Sequence, residues 1–106
     1  MSDDGGTAMR MLMTVQMDTE ASNRAIHDGS LGQLVDSTVE RFTPEAVYFA
    51  TRDGLRTMYV VFDLDEPVRM IEIAEPLFAG LQARIDFTPA MTPDDVRQGI
   101  GRISNR

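Results

Sequence analysis

With 106 residues and a net charge of −7 from ten arginines against seventeen carboxylates, the chain has the length of one small domain with a single, shallow core. Lysine and cysteine are absent and histidine occurs once. That excludes Schiff-base lysines, the lysine-dependent phosphate loop, disulfides, thiolate chemistry and multi-histidine zinc sites.

Residues 1–8, MSDDGGTA, are acidic, carry two glycines and read as a flexible tail without the basic start and apolar stretch of a secretory signal. From Met9 to Met17 apolar residues alternate with Arg10, Thr14 and Gln16, the period of a strand with one apolar face. Asp18 or Thr19 can cap a short helical lead-in through Ala21, Ala25 and Ile26, which Asp28-Gly29 interrupts. Ser30 with Gln33 has the spacing of a capping box, and Leu31, Leu34, Val35, Val39 and Phe42 form a helical stripe. Thr43-Pro44 ends that helix, because a residue before proline avoids the helical region.

Ala46–Thr51 and Arg56–Asp63 are β-rich runs around Asp53-Gly54, the sequence that favours a two-residue hairpin turn. Such a turn sets Arg52 opposite Leu55 and Tyr48 opposite Tyr59. Asp65 is read as the cap of a second helix with Pro67 in its first turn, and Pro76 as a kink or division of it. Arg84–Met91 alternates again as a fourth strand, with Pro89 where pairing stops. Thr92-Pro93 opens a terminal helix that Gly99 and Gly101 end, leaving 102–106 as a tail and 9–101 as the domain.

The order strand, helix, strand, strand, helix, strand is that of a split βαβ, or ferredoxin-like, α+β fold: a four-stranded antiparallel sheet with its helices on one face and an extra short helix at the C-terminus. The helix side takes Met11, Met13, Val15, Val47, Phe49, Met58, Val60, Phe62, Ile85 and Phe87. The other face takes Leu12, Thr14, Gln16, Ala46, Tyr48, Thr57, Tyr59, Val61, Arg84, Asp86 and Thr88. Half apolar and half polar, it suits an interface that encloses a polar cavity.

The stretches PEAVYFATRDGLRTMYVVFDLDEP (44–67) and IAEPLF (73–78), with the element order, resemble small bacterial proteins of uncharacterised function in the dimeric α/β-barrel superfamily. The resemblance covers residues 10–100. It implies two sheets packed face to face across a twofold axis and, as in many members, a ligand between sheet and helices. Members include cofactor-free oxygenases, haem-degrading enzymes, lactone isomerases and cyclases, as well as proteins without known activity, so the fold does not choose the function.

Three groups of residues are candidates for a ligand site. Tyr48 and Tyr59 bring two phenols near Gln16, Thr14, Asp86 and Arg84, where a desolvated Asp86 could accept a proton and the phenols orient an enolate-like oxygen; a plain cross-strand aromatic pair explains the tyrosines equally. His27 beside Asp28 offers a neutral-pH base or a single haem ligand, or is simply an exposed helical residue. Arg56 can hold a carboxylate in its fork, or form a surface ion pair with a residue such as Glu75. No nucleophile elbow surrounds Ser30, and Gly99-Ile100-Gly101 follows no strand and lacks the third glycine of a dinucleotide loop.

The expectation is therefore a homodimeric, cytoplasmic, cofactor-free protein that binds a small organic molecule or acts as an interaction module. Its alternative is a cofactor-independent oxygenase, isomerase or cyclase acting on a small aromatic or polyketide-like substrate. The scattered arginines and acidic balance argue against nucleic acid. The longest strongly apolar stretch, Met58–Phe62, is too short for a membrane span.

Overall fold

In the computed structural model, which describes residues 8–104, eight elements follow one another. They are β1 (Met9–Gln16), α1 (Thr19–Asp28), α2 (Ser30–Phe42), β2 (Ala46–Arg52), β3 (Leu55–Leu64), α3 (Arg69–Leu81), β4 (Arg84–Pro89) and α4 (Pro93–Ser104). The four strands form one sheet in the order β2-β3-β1-β4, and every neighbouring pair is antiparallel. This α+β arrangement is compatible with the ferredoxin-like order. The tail expected over residues 1–8 lies outside the described residues except for Ala8, as do the last two residues of the C-terminal tail.

The hairpin register follows from its turn. Asp53 and Gly54 both have positive φ, 56° and 76°, the backbone that matches strand twist in a two-residue connection. Arg52 therefore pairs with Leu55, Tyr48 with Tyr59 and Val47 with Val60. On β1, Met11, Met13 and Val15 stand opposite Phe62, Val60 and Met58. These six side chains are at most 5% exposed, and Ile73, Leu77 and Leu81 of α3 and Ala25 of α1 close over them. Each fully buried side chain of this kind contributes about 1.5–3 kcal/mol, so it is the sheet's odd face on β1 and its even face on β3 that fasten the helices. Phe87 of β4 meets Phe62 edge-on at a centroid distance of 6.2 Å.

Several helix boundaries depart from the sequence expectation. The lead-in is a full ten-residue helix, α1, whose first turn is capped by Asp18: its Oδ2 accepts from the Ala21 N–H at 2.9 Å. Gly29, at φ 84°, separates α1 from α2. The Ser30–Gln33 capping box does not form; the Ser30 N–H donates instead to Asp28 Oδ1 at 2.9 Å, because the left-handed Gly29 occupies the cap position. Thr43 ends α2 in the left-handed region, φ 37°. Asp65 does not cap the next helix. Backbone bonds from Arg69 to Glu66 and from Met70 to Pro67 make a turn first, and α3 begins only at Arg69. It then passes through Pro76 undivided. β4 stops at Pro89, and α4 continues across Gly99 and Gly101 to Ser104 rather than ending at them.

The helix layer also falls short of β2. Phe49 points to the helix side yet remains 56% exposed, since the helices pack toward β3, β1 and β4 rather than over the edge strand β2.

Candidate functional site

The face of the sheet turned away from the helices is divided by sequence into two halves. Across one end, Leu12 pairs with Val61 and Val61 with Ala46, and the Tyr59–Tyr48 pair comes next. Across the other end, Gln16 lies between Thr57 of β3 and Arg84 of β4, and Thr14 lies beside Asp86. Strand alternation adds Arg52, two residues beyond Ala50 on β2. The face is thus aromatic and aliphatic around Leu12, Val61 and the tyrosines, bordered at one end by the Arg10–Asp63 pair and at the other by Gln16 with the charged Arg52, Arg84 and Asp86.

At the polar end the surface is hollow. A depression of about 100 Å³ is lined by Thr14, Gln16, Arg52, Asp53, Arg84 and Asp86. It adjoins a wider cleft of about 310 Å³ that shares Gln16, Asp53 and Arg84 and continues along Met17, Leu55 and Gln82. Gln16 is held between the two: its Nε2 donates to the Arg52 carbonyl at 3.0 Å and approaches Asp53 Oδ2 at 3.4 Å. Both amide protons are thereby directed at the hairpin turn, which leaves the Gln16 carbonyl oxygen as an acceptor for a guest. Among the described residues, neither Arg52 nor Arg84 has a carboxylate oxygen within 4.0 Å, whereas Arg10, Arg69 and Arg97 do. The hollow therefore offers guanidinium donors, carboxylate acceptors and an amide within one small volume, the inventory for binding a polar or acidic head group.

The structure brings Thr14, Gln16, Tyr48, Tyr59 and Asp86 to this one face. Thr14 is nearly covered by its neighbours, whereas Tyr48, on the edge strand, is 69% exposed. Its phenol stands in water in the single chain rather than in a closed pocket. The structure does not bring His27 or Arg56 there. His27 lies in the exposed last turn of α1, on the opposite side of the sheet. Beside it, the Asp28 carboxyl is held below the ordinary carboxylate range by hydrogen bonds from the Ser30 hydroxyl and backbone, with a smaller contribution from His27. Arg56 is on the helix side of β3, where its Nη1 donates to Ser22 Oγ at 2.7 Å and Asn23 Oδ1 at 2.8 Å. That guanidinium is used to join hairpin and helix.

Sequence reasoning missed Arg52 and Asp53 as lining residues. The signal was present in the predicted hairpin: with Arg52 opposite Leu55, alternation from Tyr48 places Arg52 on the tyrosine face. Among the described residues no three His, Asp or Glu side chains gather as a metal site, and no helix is long and apolar enough to cross a membrane. No protein-family model, no curated protein and no solved structure matches the chain.

Proposed function

We propose that the protein is a homodimer that pairs through its uncovered sheet face and binds a small organic molecule of mixed polarity in the cleft at the polar end of that face. The observation that carries this reading is the continuity of the two halves. A hollow edged by Arg84, Arg52 and Gln16 opens onto a surface of Tyr59, Val61 and Leu12, so one molecule can set an acidic or carbonyl head against the guanidinium groups and an apolar body along the strands. A sheet face this apolar on a free subunit is the kind of surface that association covers. The element order is also the one used when two such sheets face each other in the dimeric α/β-barrel superfamily. The chain's acidic balance does not oppose an acidic guest, because the local groups rather than the net charge set the potential in the hollow.

Native mass spectrometry of protein purified from its own host, repeated after denaturation, tests both parts. The expected result is a dimer with a small additional mass that leaves on denaturation. Arg84→Ala should lose that mass and remain a dimer. A monomer at micromolar concentration refutes the assembly. Retention of the guest by both Arg84→Ala and Gln16→Ala refutes the cleft as its site.

A further inference from the structure

The small hollow at the polar end of the uncovered face carries charges of both signs that do not meet. Its lining holds the guanidinium groups of Arg52 and Arg84 and the carboxylates of Asp53 and Asp86, so its formal charge is zero. None of these four belongs to the ion pairs that the described residues form. Arg84 and Asp86 lie two residues apart on the same side of β4, which sets their Cα atoms roughly 7 Å from each other. At that spacing one small group carrying both a cation and an anion can bridge them.

Thr14 forms the floor beside them. It pairs with Asp86 across β1 and β4, and Gln16, two residues on, pairs with Arg84. Thr14 is 8% exposed and lines the hollow. The other two buried threonines, Thr38 and Thr57, donate their hydroxyl protons to the carbonyls of Leu34 and Leu55 at 2.9 and 3.0 Å. The Thr14 hydroxyl has no hydrogen-bond partner among the described residues, and its oxygen is open to the hollow rather than sealed in the sheet. Polar side chains this deeply buried are ordinarily satisfied. Gln16 adds a free carbonyl acceptor, since its Nε2 is engaged by the hairpin turn.

A guest with a single charge answers half of this set. A plain carboxylic acid meets Arg52 and Arg84 but brings further negative charge beside Asp53 and Asp86, and a plain amine does the reverse. A zwitterion answers both signs and leaves the hollow neutral. The volume of about 100 Å³ is below the ~300–1,000 Å³ of sites that hold whole ligands, so the hollow takes a head group and the rest of the molecule lies outside it. We propose that the guest is a free 2-amino acid with an apolar side chain. Its carboxylate lies against Arg84 and Arg52 and accepts from the Thr14 hydroxyl. Its ammonium donates to Asp86 and to the Gln16 carbonyl. Its side chain leaves the hollow toward Tyr59, the partner of Thr14 on β3. The inference rests on the reading that this cleft binds a small molecule of mixed polarity, and it names the class of that molecule.

Calorimetric titration of the full-length, dialysed protein with three probes of one carbon skeleton separates the two charges. L-leucine carries both, 4-methylpentanoic acid only the anion and 3-methylbutylamine only the cation. L-leucine should bind at least about tenfold more tightly than either, the loss expected from one charge-assisted hydrogen bond. Asp86→Asn should erase the preference for L-leucine over the acid, and Arg84→Ala should weaken both. Thr14→Val, matched in shape, should lower L-leucine affinity about tenfold while the melting midpoint and the oligomeric state stay unchanged. Equal binding of L-leucine and the acid overturns the ammonium subsite and leaves an acid-binding cleft standing. Unchanged L-leucine affinity in both Asp86→Asn and Thr14→Val overturns the proposed pose. No binding of L-leucine or L-phenylalanine at about 10 mM overturns the amino-acid class. In that case a guest mass on protein purified from its own host, lost in Arg84→Ala, keeps the cleft as a binding site, and its absence overturns both readings.

Discussion

Removing the Arg56 side chain separates a structural role from a ligand-binding one. Its Nη1 donates to Ser22 Oγ at 2.7 Å and Asn23 Oδ1 at 2.8 Å, and Ser22 is fully buried. The backbone of the same residue accepts from the Met17 N–H at 2.9 Å, so hairpin, strand end and α1 converge there. A charge-assisted hydrogen bond contributes about 1.5–3 kcal/mol net. The two bonds share one nitrogen, and Asn23 is open to solvent, so the pair is worth about 2 kcal/mol rather than twice that range. Ser22 Oγ keeps its own donation to the Thr19 carbonyl at 3.2 Å, so no buried proton is orphaned and the loss should not exceed this figure. Unfolding entropy of about 2.1 cal/mol/K per residue converts it to a fall of roughly 10 °C in the melting midpoint of Arg56→Ala, measured at fixed protein concentration. Arg56→Lys, which keeps the charge but loses the fork, should recover about half. The guest mass seen in native spectra should be unaffected. Unchanged stability together with loss of the guest would refute the structural assignment and return Arg56 to the binding site.

Leu77→Ala empties a fully buried position under the sheet and should destabilise by about 3–5 kcal/mol in urea titration, a large share of what a domain of this size has. Asp18→Ala removes the cap of α1 and should cost about 1 kcal/mol, with Asp18→Asn recovering most of it. At Gly80, an added Cβ would stand 2.9 Å from Leu34 Cδ1. Gly80→Ala should therefore be nearly neutral in thermal melts, since a flexible leucine tip can yield and the helix gains propensity of up to about 1 kcal/mol; Gly80→Leu should destabilise. Hydrogen bonds from the Thr92 backbone and hydroxyl, and to a lesser degree the Arg10 charge, hold the Asp95 carboxyl below the ordinary aspartate range. A lowered folded-state value means the cap is intact above about pH 4 and is lost as pH falls through that lowered value. The protection factor of the Thr92 amide, exchange being corrected for its intrinsic pH dependence, should therefore be high at neutral pH and fall on acidification below the normal carboxylate range, and Asp95→Asn should abolish most of this dependence.

What was legible in the sequence was whatever strand period and turn chemistry determine together. Met11, Met13 and Val15 could only share a face, and Asp53-Gly54 could only close the hairpin with Tyr48 opposite Tyr59; both pairings are found. Helix starts were less legible because several residues compete for one role. Ser30 has a capping side chain, yet the left-handed Gly29 takes the cap position and Asp28 supplies the oxygen. Asp65 has one too, but Pro67 and Val68 are used in a preceding turn. The terminal glycines were read as stops because glycine ends helices more often than it continues them, whereas here the helix carries both. For the candidate site, parity correctly gathered Thr14, Gln16, Tyr48, Tyr59 and Asp86. It also argued against Arg56, which is one residue off the phase of Thr57 and Tyr59. His27 carried no spatial information at all, since nothing in a helix's own sequence states which side of a sheet it will cover beyond the burial of Ala21 and Ala25.

The division of the uncovered face gives the binding reading its physical content. Had the whole face been apolar, burial against a second copy would be sufficient explanation and would leave no room for a guest. Had it been polar throughout, solvent would satisfy it and no association would follow. Instead the apolar residues collect around Leu12, Val61 and the tyrosines, beside the Arg10–Asp63 pair, and a second charged set collects where the hairpin turn and the start of β4 leave a hollow. Guanidinium groups at the rim of a partly enclosed cleft are costly to bury unless something answers their charge. A dimer built from the apolar end avoids that cost by leaving the arginines at its mouth, and a molecule with an acidic head and an apolar body meets both conditions at once. The same geometry makes dimer formation and guest binding separable: substitutions at Val61 should act on the first, substitutions at Arg84 or Gln16 on the second, and a variant of either kind that altered both equally would show that the two parts of the face are one site.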